Sequence, residues 1–336
     1  MKLKALRVPL KLAAKVKLEL LSKNLIKRGI LPIKDKEFIY FPLVEDTDIK
    51  DFEIVSKEFK TQEKPKSLKE ALKDVIPKDK LSFLKTAYDF IGEIAILEID
   101  EQLQQYENLI AKNLLKVNKS IKSVYKKDSL FEGKFRLRKH KYLAGKKSTQ
   151  TIHKENGIKI KVDINDMYFS PRLSNERLRL SKLVKNERVL VIGSGCGPYT
   201  CVLAKKGFAK EVIGIEFNEK AHEFAEFNIK LNKLKNAKNI LGDANKKIKD
   251  LGVFDRIILA TPDNSEEFLE NSINHLTSKG VIHFATFCKE EDKDKVKQNI
   301  SKLIVNFCKS FNISFVKTGH HAPFIFRFSI DIVINN

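Results

Sequence analysis

From residue 188 onward, short apolar runs alternate with helical segments, and nothing else in the chain limits its fold so tightly. The runs fall at 188–192, 211–215, 237–241, 254–260 and 280–287, with helical periodicity over 218–231 and 264–276 between them. Strands joined through helices must be parallel, and right-handed crossovers lay those helices on both faces of one sheet. The expectation is an α/β fold with a mostly parallel sheet. After a last helix over 294–309, two β-rich runs at 313–318 and 324–334 flank Gly319-His320-His321-Ala322-Pro323 and predict a terminal β-hairpin. A dinucleotide fold built from two like halves does not finish in this way.

The first strand runs into Gly193-Ser194-Gly195-Cys196-Gly197 and then a helix. Glycines suit such a turn because a Cβ would block the sharp bend and the close approach of a ligand. Glu216, 23 residues past Gly193, ends the next strand, where a carboxylate can accept both ribose hydroxyls of an adenosine, with Phe217 beside it. The third strand ends in Gly242-Asp243-Ala244, a place for a carboxylate and a backbone amide that read adenine. The competing reading is that Glu216 and Asp243 merely cap the helices that follow. With no second nucleotide half, a terminal hairpin and an acid after strand three, S-adenosylmethionine is expected rather than NAD, on a class I Rossmann-like methyltransferase domain spanning 171–336.

The 336 residues exceed a usual single core, and two or three domains are expected. Residues 1–55 read as a small α+β module: apolar positions at helical spacing from Leu10 to Leu25, closed by Gly29, then an aromatic strand over 37–44. A charged linker, 56–80, carries a short helix announced by Ser67 and Glu70. Residues 81–170 read as a second α+β domain: a strand over 88–99, a helix over 101–117, a strand over 121–126, and two short strands over 158–169 around Asn165-Asp166. The net charge of +21 is uneven, −2 over residues 51–100 and +9 over 101–150. A concentrated excess suits a polyanion, since each phosphate neutralised releases counterions, although lysine-rich surfaces are also common. Arg138, Lys139, Lys141, Lys146, Lys147 and Arg172 are the candidate phosphate contacts. The four cysteines lack metal-ligand spacing, so no metal is expected, and they read as reduced thiols of a cytoplasmic protein. No apolar segment approaches the ~20 residues of a membrane helix, and an apolar content of 42% excludes general disorder.

Several strings, in order, resemble one family: Gly133-Lys134-Phe135-Arg136-Leu137-Arg138, Ala144-Gly145, Thr151-Ile152-His153-Lys154-Glu155-Asn156-Gly157, Tyr168-Phe169-Ser170-Pro171-Arg172-Leu173 and Glu176-Arg177. The chain resembles the archaeal and eukaryotic tRNA guanosine-37 N1-methyltransferases along essentially its whole length. Gly214-Ile215-Glu216-Phe217-Asn218 is most similar to an archaeal branch implicated in wyosine synthesis, which also methylates C7 of 4-demethylwyosine. The resemblance implies that Glu176 takes the N1 proton of guanine, that Arg136 stands near O6, that Pro262 keeps the turn beside the base, and that Arg177, Glu216 and Asp243 contact the cofactor, with Gly193, Gly195, Phe217 and Ala244 around them. That chemistry is coherent, because N1 is protonated at neutral pH and its attack on a sulfonium methyl sends charge to O6. The partner implied is the anticodon loop of tRNA, foremost tRNA-Phe; the expected state of the protein is a monomer.

Two departures stand out. Val191 occupies a position where the family commonly has an acid, and Ala260-Thr261-Pro262 replaces the usual Asn-Leu-Pro, removing a side chain able to bond the target base. A roomier pocket with fewer guanine-specific contacts favours the tricyclic base. The alternatives are transfer of the aminocarboxypropyl group of the same cofactor, and a non-catalytic RNA-binding protein.

Overall fold

The computed structural model describes residues 1–27, 30–44, 49, 52–59, 67–73, 75–133 and 135–335. It divides into two compact units, Met1–Val75 and Ile76–Asn336. In the first, β1 (Lys2–Pro9), α1 (Ala13–Ser22), β2 (Ile33–Lys34), β3 (Phe38–Pro42) and β4 (Ile54–Glu58) precede the short α2 (Leu68–Leu72). The sheet is antiparallel in the order β2-β3-β1-β4, and Val16 and Leu20, one turn apart on α1, are buried with Leu6, Val8, Phe41 and Leu43. Strand β1 was not expected from the sequence; its lysines at positions 2 and 4 point outward while Leu3 and Ala5 are buried. Helix α1 ends at Ser22, short of Leu25, and Gly29 lies outside the described residues. Strand β4 runs through residue 55, so the sheet continues past the boundary expected there. Ser67 Oγ accepts from the Glu70 amide at 3.2 Å, the cap anticipated for α2.

The second unit begins with α3 (Lys78–Leu81), β5 (Tyr88–Ile91), β6 (Ile94–Leu97), α4 (Glu107–Val117), β7 (Ser123–Lys127) and β8 (His140–Gly145), whose strands form a sheet in that order. The single strand expected over 88–99 is a hairpin, because Gly92 takes φ +58° and reverses the chain. Next come β9 (Gln150–Glu155) and β10 (Ile158–Asp163), a hairpin turned at Asn156-Gly157, both with positive φ. The two strands therefore lie before Asn165-Asp166 and not on either side of it.

The remainder alternates as expected: α5 (Ser174–Leu183), β11 (Arg188–Ile192), α6 (Pro198–Lys206), β12 (Glu211–Glu216), α7 (Glu219–Leu231), β13 (Ala237–Leu241), α8 (Ala244–Lys247), β14 (Phe254–Leu259), α9 (Leu269–Asn274), β15 (Leu276–Lys289), α10 (Lys293–Ile304), β16 (Ser310–Ala322) and β17 (Ile325–Asn335). The sheet order is β13-β12-β11-β14-β15-β17-β16, parallel from β13 to β15 and closed by the antiparallel terminal hairpin. Helix α9 is shorter than its pattern suggested, and β15 starts four residues before Gly280.

Residues 81–170 share a core with this sheet domain. Ile91, Ile94, Ile96 and Tyr125 pack with Ile158, Ile160 and Val162 of the β9–β10 hairpin and with Cys196, Cys201, Ala221 and Ile229. Edge strand β10 is also bonded by side chains: Asn228 bonds the Lys161 amide and carbonyl at 2.7 and 3.0 Å, and Asn232 does the same for Lys159 at 2.8 and 2.6 Å. One turn apart on α7, the two carboxamides substitute for a neighbouring strand, each offering one donor and one acceptor. Among the described residues no helix is long and apolar enough to cross a membrane, the four cysteines are free, and no acidic, cysteine and histidine cluster suits a metal.

Candidate active site

The carboxyl ends of β11, β12 and β13 open onto a cleft of about 660 Å³. Gly193, Gly195 and Gly197 all take positive φ, and a Cβ on Gly193 would lie 2.3 Å from Thr261 Cγ2. The turn thus requires glycine. Glu216 receives the Gly195 amide on Oε2 at 2.7 Å and the Asn218 amide on Oε1 at 2.8 Å. Burial raises its carboxyl above the ordinary carboxylate range, and those amides oppose the rise. It does not cap α7; Asn218 does, accepting from Lys220 at 3.0 Å. Asp243 does cap α8, through the Asn245 amide at 2.9 Å, while also lining the cleft. Phe217 and Ala244 line it as well, and the Phe217 ring stands 6.2 Å from that of Phe135. An acid holding two backbone amides, glycines without Cβ and an apolar wall together fit an adenosine with its ribose.

Arg177 also lines the cleft and is 1% exposed. Glu155 grips it bidentately, Nε to Oε1 at 2.5 Å and Nη2 to Oε2 at 2.6 Å, and Nη2 also donates to the Ser170 carbonyl at 3.0 Å. Burial works to raise the Glu155 carboxyl, but bonds from His153 and Arg177 win and hold it low.

Glu176 does not line this cleft. It is 6% exposed and held by Arg179 at 2.7 and 2.9 Å; Arg179 is braced in turn by Asp331 at 2.7 and 3.0 Å. Glu176 and Arg179 are three residues apart on α5, so this is a local helical pair, and it is buried rather than on the surface. Beside Glu176 is a void of only about 10 Å³, walled also by Tyr199, Ala260 and Arg327, and these three residues line the cofactor cleft too. Glu176 is thus one side chain away from the cleft, across a space no larger than a water molecule. Pro262 is on the cleft wall. Val191 is fully buried among Leu180, Val184, Tyr199 and Leu203, so a side chain at 191 faces the core and not the cleft.

A second cleft, about 560 Å³, adjoins the first and shares Gly133, Arg136, Tyr168, Phe169, Ser170 and Asp263 with it. Arg136, at φ +52°, is paired with Asp263 and lies 5.1 Å from the Tyr168 ring and 5.4 Å from that of Phe287. Of the expected phosphate contacts, Arg138 and Arg172 line this cleft; Arg172 also bonds Asp89 at 2.7 Å. Lys139, Lys141, Lys146 and Lys147 do not line it, although all four are exposed, and Lys141 is paired with Glu107 at 2.6 Å. Lys134 lies outside the described residues. Lys127, His140, His320 and His321 line the cleft and were not anticipated. The paired histidines at the hairpin tip were the visible signal, and so was Arg327, a charge between Phe326 and Phe328 in an apolar run.

Comparison with known proteins gives three consecutive matches. Residues 5–52 match the tRNA methyltransferase 5 N-terminal domain, 68–149 the TYW2 N-terminal domain, and 151–315 the TRM5/TYW2 methyltransferase domain. A tRNA (guanine(37)-N(1))-methyltransferase, Trm5b of Pyrococcus abyssi, is 38% identical over 291 residues, covering 86% of this chain and 85% of that protein. The crystal structure of wild-type Trm5b from Pyrococcus abyssi superposes with a TM-score of 0.74 at 34% identity, covering 99% of this chain and all of that one. The complex of aTrm5 with tRNA-Leu gives 0.70 at 29% identity, covering 98% and 99%.

Proposed function

The chain belongs to the TRM5/TYW2 methyltransferase family, and on that premise we propose that it methylates N1 of guanosine at position 37 of tRNA, with tRNA-Phe among its substrates. It is an S-adenosylmethionine-dependent tRNA methyltransferase. The observation that carries the reading is the meeting of two clefts along a shared wall that includes Arg136: one fits an adenosine, the other is lined by Arg138, Lys127 and Arg172 and suits an RNA backbone.

When bound, S-adenosylmethionine supplies an electrophilic methyl group. Glu216 would accept its ribose hydroxyls, Asp243 and Ala244 would hold the adenine, and Gly193 and Gly195 would let the ligand reach the backbone. The target base leaves the anticodon-loop stack and enters beside Ala260, widening the void that Glu176 walls. Glu176 then takes the N1 proton as methyl transfer proceeds, and Arg136 stabilises the charge that reaches O6.

Ala260 favours a second reading, methylation at C7 of 4-demethylwyosine, since the small side chain leaves room for a third ring. Methyl transfer to tRNA-Phe transcripts carrying guanosine or adenosine at position 37 tests the first. Label in the guanosine transcript alone is expected; equal labelling of both refutes position-37 specificity. Transfer of the heavier aminocarboxypropyl group in place of methyl refutes the reaction class.

A further inference from the structure

Arg327 is 6% exposed, yet its guanidinium makes no hydrogen bond or ion pair with any described residue; it stands 5.7 Å from the Phe287 ring and within electrostatic reach of Tyr199 and His321. The other deeply buried arginines are matched: Arg177 by Glu155, Arg256 by Glu187. Held in the wall of the cleft without a protein acceptor, the guanidinium has donors left for a ligand. Arg327 lines both the cofactor cleft and the small void, with Ala260 and Glu176 across that void. Those are the walls of the base site under the proposed function, on which this inference rests.

We propose that Arg327 is a specificity-determining residue that donates to the carbonyl oxygen of the target base, supplying the hydrogen bond that Ala260 is unable to make. The carbonyl is O6 when the base is guanine. As the N1 proton leaves for Glu176, negative charge develops on that oxygen, and a buried cation stabilises it more than an amide would. Arg136 is not displaced from its role, because a carbonyl oxygen has two lone pairs and accepts two donors. Nor is Arg136 sufficient alone, since its Nη1 is engaged by Asp263. Strand β17 fixes the position: Arg327 pairs across from Phe287 on one side and Gly319 on the other, and Thr318 Oγ1 donates to its carbonyl at 3.1 Å.

The test compares R327A, R327K and R327A/A260N with wild type, measuring kcat on guanosine-37 tRNA-Phe and S-adenosylhomocysteine affinity by calorimetry. R327A is expected to lose about 10²–10³-fold in kcat with unchanged S-adenosylhomocysteine affinity. R327K, which keeps a charged donor, should lose less, and A260N in the R327A background should recover at least about tenfold by restoring a donor from the opposite wall. A kcat for R327A within threefold of wild type overturns the proposal. So does a loss of S-adenosylhomocysteine affinity equal to the loss of kcat, which would place Arg327 on the cofactor, and so does absence of recovery with A260N. If R327A does not fold, R327K carries the same comparison, and a wild-type rate there overturns it. The wild-type rate on guanosine-37 separately tests the proposed function: without it that reading fails, independently of the variant ratios.

Discussion

At the scale of single residues, the site depends on buried groups whose partners are far away in sequence. Glu216 holds two amides and faces the cofactor cleft, so Glu216→Ala should weaken S-adenosylhomocysteine binding by about 10–100-fold, from the loss of charge-assisted hydrogen bonds; unchanged calorimetric affinity would contradict its role. Gly193→Ala places a methyl 2.3 Å from Thr261 Cγ2 at φ +71° and should abolish measurable binding. Thr261→Ser in that background removes the clashing carbon and is expected to restore part of the affinity. Glu155→Gln leaves Arg177 buried without its counter-charge and should cost about 3–5 kcal/mol in urea unfolding. The acid limb follows from the same groups. Burial works to raise Glu155 and Asp331, but His153 and Arg177 on one, and His283 and Arg179 on the other, hold both below the ordinary range. Their contribution to stability is therefore complete above the unfolded carboxylate range, about pH 4, and is lost as pH falls through the lowered folded values. The thermal midpoint should fall between pH 5 and pH 2, and less steeply in Glu155→Gln. Glu216 was legible because the end of a strand after a glycine turn is a topologically fixed place. The burial of Glu176 was not, because its clamp depends on Asp331, 155 residues away, and no local spacing encodes that.

At the scale of elements, the β9–β10 hairpin is held onto the sheet domain by α7. Asn228→Ala strands the Lys161 amide and carbonyl and should destabilise by about 1–3 kcal/mol, as should Asn232→Ala, and the double variant should show non-additive unfolding energies because the two bond consecutive outward positions of one strand. Strictly additive effects would mean that the carboxamides act separately. The alternating second half of the chain was readable, since five apolar strands and their helices repeat one pattern. The small sheets were less so. Strand β1 alternates lysine with apolar residues and runs straight into Pro9, a residue equally suited to a helix start, and Asn156-Gly157 is a hairpin signal with no long strand pattern before it. Strands β5 and β6 read as one largely apolar run with Gly92-Glu93 at its middle, and periodicity alone does not show that the chain reverses there.

At the scale of the whole molecule, the charge of +21 resolves into a lined cleft and an exposed lysine set. Arg138, Arg172 and Lys127 enclose the space beside Arg136, whereas Lys139, Lys146 and Lys147 stay at the exposed surface. Binding of tRNA should weaken steeply with salt, and Lys146→Ala with Lys147→Ala should lower the slope of log K against log salt by about two if both touch phosphates; an unchanged slope removes them from the interface. Removing residues 1–75, the first compact unit, is expected to reduce tRNA affinity and to leave S-adenosylhomocysteine affinity intact. The proposed function places the base at position 37 where the two clefts meet, in position to accept a methyl group. Its most direct test is nucleoside mass spectrometry of tRNA-Phe after incubation with the protein and S-adenosylmethionine, using guanosine-37 and 4-demethylwyosine-37 forms in parallel. The expected result is 1-methylguanosine from the first, mapped to position 37 and absent with Glu216→Ala. No methylated nucleoside from either form, or methylation mapped elsewhere in the tRNA, would contradict it.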